Sequence, residues 1–164
     1  MRGPEELHRV PWGELAHADG TAEDVPRHIL ALYLPDGEAS AEALDELYGH
    51  VHGMGAMSES SAHTVPFLAH AAVHGPPGRG ADVLTLLAVL ADEADADFED
   101  PPGGSADAVG DAVLREIPEL LACTRDDDRE VRRAVLRSAG RSGRAQDLVA
   151  HPGEKLGQRG PVRC

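Results

Sequence analysis

Nine histidines are the residues of this chain best suited to chemistry. His70 and His74 are four apart, a spacing that puts two imidazoles on one face of a helix. His50 and His52 lie beside a glycine-rich turn, with His63 nearby. Neutral imidazole ligates zinc, but a zinc site needs three or four converging ligands. No His-Glu-x-x-His and no Cys-x-x-Cys is present to force such convergence. The expectation is therefore no metal and no cofactor. The histidines read as scattered and solvated, with His17 as a buried polar residue that hydrogen-bonds within the first turn.

Nucleophiles are no better arranged. Ser58, Ser60 and Ser61 occur near His63, and Cys123 precedes a charged turn. No nucleophile elbow, phosphate loop or dinucleotide fingerprint accompanies them, so the chain is expected not to be an enzyme and to have no catalytic residue. The run from Asp92 to Asp100 holds six acids in nine residues but lacks the order of an EF-hand. It reads as a solvated, self-repelling loop over 92–104. Arg129, Arg133 and Arg137 recur every fourth residue along a helical pattern and make a basic stripe. Planar guanidinium forks in that array could grip a carboxylate-rich peptide or a phosphate, or pair with the chain's own acidic loop. They are the candidate partner-binding residues.

Helices must position all of these. Val25-Pro26 opens one, with Thr21 or Asp24 as its cap, and Pro35-Asp36-Gly37 closes it. Ala43, Leu44, Leu47 and Tyr48 form a 3.6-period stripe over about 38–50. Ser58 to Ala62 could cap a helix running through Val65-Pro66-Phe67-Leu68 to about Val73. The run Val83 to Leu90 is apolar on nearly all sides and predicts a central helix. Further helical patterning follows over Val109–Leu121 and about Asp128–Ala139, with a partial helix at Ala145–Ala150. No β-alternation is visible. Residues 1–9 read as a flexible lead, 10–150 as the helical domain and 151–164 as a disordered tail.

The 164 residues carry 15 basic and 29 acidic side chains, a net charge of −14. The imbalance is local. Residues 1–124 hold 5 basic and 23 acidic residues, whereas 125–164 hold 10 and 6. A body this acidic repels phosphates and disfavours nucleic acid as a partner. Hydrophobic content is 41%, yet 25 residues are alanine and aromatics are only 3%, and no apolar run is long enough to cross a membrane. Cys123 and Cys164 make neither a disulfide framework nor a zinc motif, and the opening residues contain no apolar signal core. A cytoplasmic protein is expected.

Val25-Pro26, Val65-Pro66 and Ile117-Pro118 mark three segments in which a first helix is followed by a turn and a second. Their prolines are 40 and 52 residues apart, the longer interval absorbing the acidic loop. A two-helix unit near this length cannot bury its apolar face alone and must stack. The run Asp127-Asp128-Arg129-Glu130-Val131-Arg132-Arg133-Ala134 resembles the Asp…Val-Arg-x-x-Ala signature of HEAT repeats, with its Ala one position early. Trp12, Leu15, His17-Ala18, Gly20 and Asp24-Val25-Pro26, followed by Val65-Pro66-Phe67-Leu68, resemble the opening of uncharacterised bacterial HEAT-repeat proteins. Where those often carry His-Gln-Gly, this chain has His52-Gly53-Met54-Gly55.

The resemblance implies an all-α fold, a short right-handed α-α superhelix of about three helix pairs. It also implies that second helices line a partner-binding face. The function expected is a non-catalytic protein-interaction module or scaffold, monomeric or homodimeric, with a protein partner and neither nucleic acid nor membrane. The alternative is an acidic, immunity-type protein that neutralises a basic toxin or nuclease.

Overall fold

The computed structural model describes residues 1–53, 56–94 and 105–123. These residues are mostly helical. Among the described residues five α-helices follow one another: α1 (Val25–Ala31), α2 (Gly37–Val51), α3 (Glu59–His74), α4 (Gly80–Ala94) and α5 (Ser105–Cys123). Two small antiparallel ladders, unannounced by any alternation, interrupt them: β1 (Ala16–His17) with β2 (Gly20–Thr21), and β3 (His52–Gly53) with β4 (Ala56–Met57). Strands of two residues are too short to display a period, which is why the sequence reads as purely helical.

Helical periodicity decides what is buried. On α2 the inward residues are Ser40, Ala43, Leu47, His50 and Val51, a stripe returning every three or four positions. On α1 they are Val25, His28 and Ile29. Both stripes thus carry a histidine inward. On α4, Val83, Leu84, Leu86, Leu87 and Leu90 are all buried, as the run of apolar residues predicts. α3 is the shared element, touching α1, α2, α4 and α5, while α1 pairs with α2 and α4 with α5. Ile29, Phe67, Leu87, Val109 and Ile117 belong to one continuous core.

Three readings of the sequence need correction. Residues 1–9 are not a bare lead-in: Pro4–Arg9 form a 3-10 helix whose Leu7 is buried. The cause is tertiary. Trp12 donates its indole N–H to the Leu7 carbonyl at 2.8 Å and packs on Phe67, and Arg2 N–H bonds to Pro66 O at 3.2 Å. The first helix ends at Ala31, short of Pro35, so Leu32 turns inward while Leu30 and Leu34 stay exposed. The Val-Pro and Ile-Pro pairs do not mark equivalent places either. Pro26 sits in the first turn of α1, where its missing N–H costs nothing, whereas Pro66 and Pro118 lie inside α3 and α5.

The helix α4 runs through Asp92 and Glu93 to Ala94, so the acidic segment begins helically. The rest of that loop, the predicted helices over 128–139 and 145–150, and the tail 151–164 lie outside the described residues. Among the described residues, no helix is long and apolar enough to cross a membrane.

Candidate histidine–carboxylate centre

The site lies where the β1–β2 hairpin, the start of α1 and the end of α2 meet. Gly20 makes the hairpin possible: its φ of +148° is one that a side chain would disfavour. The hairpin is fixed to α2 by the Ala18 N–H, which donates to the His50 carbonyl at 3.3 Å. This brings His17 and Asp19 against the last turn of α2. Asp24 stands at the N-cap of α1, one helical turn before His28, and its side chain makes no capping hydrogen bond. A capping aspartate ordinarily stabilises a helix by about 1 kcal/mol. Here the carboxylate turns instead toward three imidazoles.

The contacts are directional. His17 accepts the Asp19 N–H on Nδ1 at 3.0 Å, which leaves Nε2–H to donate to Asp24 Oδ1 at 3.0 Å. The other oxygen, Asp24 Oδ2, is 3.7 Å from His50 Nδ1 and 3.9 Å from His28 Nε2. On its far side, His50 Nε2 faces Glu46 Oε2 at 3.7 Å and Asp19 Oδ2 at 3.9 Å. The His17 ring stacks flat on His50, centroids 4.2 Å apart, and His28 meets His50 edge-on at 5.5 Å. His50 is only 9% exposed at its side chain, and its Nδ1 is buried without a hydrogen-bond partner.

Electrostatics follow from this packing. Burial pushes the Asp24 carboxyl up, but the His17 hydrogen bond and the neighbouring His50 and His17 more than offset it and hold it below the usual carboxylate range. Burial, reinforced by the Arg27 charge and only partly opposed by Asp24, pushes His28 below the ordinary histidine value. A neutral imidazole with a free lone pair is the form that binds cations. Arg27 is the competitor: its Nε donates to His28 Nε2 at 3.2 Å, and its Nη2 is 3.9 Å from Asp24 Oδ2.

The residues singled out in the sequence divide differently. His17 is buried and hydrogen-bonded, but to Asp24, seven residues on, not only inside its own turn. His70 and His74 do share a face, their rings 4.4 Å apart, yet His70 Nδ1 is taken up by the Tyr33 hydroxyl at 2.7 Å and His74 is exposed. His63 is exposed on α3. The serines are structural: Ser58 N–H donates to Ser61 Oγ at 3.0 Å, and Ser61 Oγ donates to Val51 O at 2.7 Å, a capping box tied to the end of α2. Arg129, Arg133 and Arg137 lie outside the described residues.

Sequence reading missed Asp24 and His28 as a pair, and with them the convergence on His50. The available signal was the four-residue spacing of Asp24 and His28 together with the inward phase of His28 and His50. The chain matches no family model, no curated protein and no solved structure.

Proposed function

We propose that this chain is a non-catalytic, HEAT-like helical module that binds a protein partner, with stacked helix pairs as its scaffold and surface charge as its selector. Two packing features support the scaffold. α1, α3 and α5 touch in succession, while α2 and α4 each pair with the helix before them, as in a two-layer stack. The observation that carries the partner reading is the outer face of α2. Glu38, Glu42, Asp45 and Glu46 are all exposed there, and Asp36 extends the band at its start. The described residues contain only five basic side chains, and Arg9 and Arg79 are engaged by Glu6 and Asp82.

Such a face favours a basic protein, steers it in by long-range attraction and rejects nucleic acid. The same observation favours a second reading, neutralisation of a basic toxin or nuclease. The Arg129–Arg133–Arg137 stripe is the rival surface and would select an acidic partner. A cytoplasmic setting and a monomeric or homodimeric state belong to the same proposal.

Affinity isolation at low and high salt tests it, comparing the wild-type chain with Glu38→Lys/Glu42→Lys/Asp45→Lys and with Arg129→Glu/Arg133→Glu/Arg137→Glu. Basic partners released by salt, lost from the first variant and kept by the second, are expected. Acidic partners, or partners indifferent to the α2 charges, would overturn the reading.

A further inference from the structure

We propose that Asp24, His28 and His50 form a binding site for a divalent transition-metal ion of the zinc type. One ligand atom from each of the three residues lies within 4.8 Å of the others, and Asp24 Oδ2 faces both His28 Nε2 and His50 Nδ1. Zinc holds nitrogen and oxygen ligands at about 2.0–2.2 Å, so tetrahedral neighbours stand about 3.4 Å apart. The distances of 3.7 and 3.9 Å from Asp24 Oδ2 are too long for hydrogen bonds and only a few tenths of an ångström wider than that edge.

Burial supplies an independent argument. A polar atom shielded from water ordinarily has a partner, and His50 Nδ1 has none. It points at the oxygen of Asp24 that His17 leaves free. The surroundings have the form of an outer shell. The His17 Nε2–H holds Asp24 Oδ1 and so presents Oδ2, while Glu46 and Asp19 flank the far nitrogen of His50. Metal-bound histidines commonly donate their second N–H to a carboxylate, and Glu46 and Asp19 stand near that nitrogen of His50 at 3.7 and 3.9 Å, just beyond hydrogen-bond length.

A second set, His17, Asp19 and His50, has the same spacing limit. It is the weaker candidate because the Asp19 side chain is 76% exposed and His17 Nε2 is already engaged by Asp24. Three protein ligands leave a fourth position for water or for an anionic group of a bound molecule. The ion would clamp the start of α1 to the end of α2. This inference does not depend on the partner reading above, since its ligands are Asp24, His28 and His50, and of the acidic face only Glu46 reaches the site, beside His50.

Cobalt(II) and zinc are the probes, titrated into the full-length, chelator-stripped chain. One equivalent of cobalt is expected to give the intense visible d–d absorption of a four-coordinate ion, displaced by zinc, with no thiolate charge-transfer band. Asp24→Asn and His28→Gln, checked for folding by circular dichroism, should each lose the band and weaken zinc binding at least tenfold. His70→Gln should leave both unchanged, and Arg27→Ala should tighten binding by removing the competing guanidinium. No binding by the folded wild-type chain would overturn the proposal. So would a band retained in both Asp24→Asn and His28→Gln, a thiolate band, or loss in Asp19→Asn with retention in Asp24→Asn.

Discussion

The interface of α3 with α4 and α5 and the junction of β1–β2 with α1 and α2 both hold side chains away from water, by opposite means. In the first, Phe67, Leu68, Leu87, Leu90, Val109 and Ile117 interlock without direction. In the second, two imidazoles, those of His28 and His50, sit in the same inward stripes that elsewhere hold valine and leucine, and the partly exposed Asp24 carboxylate faces them. Apolar burial stabilises roughly in proportion to area, whereas a buried polar group is tolerated only where its partners stand in the right place. The histidine junction is therefore the region where position matters most and where net stabilisation is smallest.

The first way to break this comparison is in the apolar half. Phe67→Ala should cost about 3–5 kcal/mol, because the ring is fully buried and abuts Trp12 and the cavity left cannot collapse fully. Urea unfolding would show it as a lower midpoint. A loss under 1 kcal/mol would mean that the contact with α5 and the 3-10 segment is not the main packing surface.

In the polar half, Asp24→Ala should cost less, about 1–3 kcal/mol, since it leaves the buried His17 Nε2–H without its acceptor. Its signature is the second readout. Zinc should raise the thermal midpoint of the wild-type chain and of Phe67→Ala but not that of Asp24→Ala. Equal stabilisation of all three would erase the distinction between the two regions.

Ser61→Ala probes the join between them and should cost about 1 kcal/mol. The hydroxyl serves two masters: it accepts the Ser58 N–H and donates to the carbonyl of Val51, the residue after His50. Differential scanning calorimetry, with and without zinc, would check this. A variant as stable as wild type would show that water replaces both bonds.

Much of the helical half was legible because its signals are local. The apolar run in α4 and the course of α2 are readable from period alone, with bounds within a few residues of the observed helices, but the inward face of α2 keeps only Ala43 and Leu47 of the predicted stripe buried and leaves Tyr48 exposed. Ser58 was readable as a cap for the same reason. The two ladders and the packing of residues 1–9 were not, since they depend on Trp12 reaching Leu7 and Phe67 and on Ala18 reaching His50. The histidine centre was not read from the sequence, where all the histidines but His17 pass as scattered and solvated. The observed helices turn His28 and His50 inward, and nothing local says that a hairpin closed at Gly20 brings His17 beside them. The i,i+4 pair that attracted notice, His70 and His74, has its imidazole answered by a tyrosine hydroxyl, whereas the Asp24–His28 pair looks in sequence like an ordinary helix start.

The smallest expected effect concerns those histidines of α3. Burial pushes His70 below its ordinary value of 6.5, the neighbouring His74 adds to the shift, and Glu5 opposes it. Partial desolvation does the same to the otherwise exposed His63, with Arg2 adding. In both cases the folded imidazole takes its proton at lower pH than the unfolded one. Between the two values the unfolded chain binds more protons, so stability is fully present above about pH 6.5 and declines as pH falls through that value. It levels off once the folded group is protonated as well. The Tyr33 hydroxyl does not titrate in this window, because burial raises it well above its usual range. Asp24 acts in a separate window, since a carboxyl held low loses its contribution only near the acid limit. Thermal melts of the metal-free chain between about pH 7.5 and 5.5 should therefore show a shallow fall, made shallower by His70→Gln. A melting temperature that rises on acidification, or a slope indifferent to His70→Gln, would show that burial and the neighbouring His74 do not hold this imidazole neutral. The contrast would then fail from the other side, with α3's histidines as charged as any on the surface.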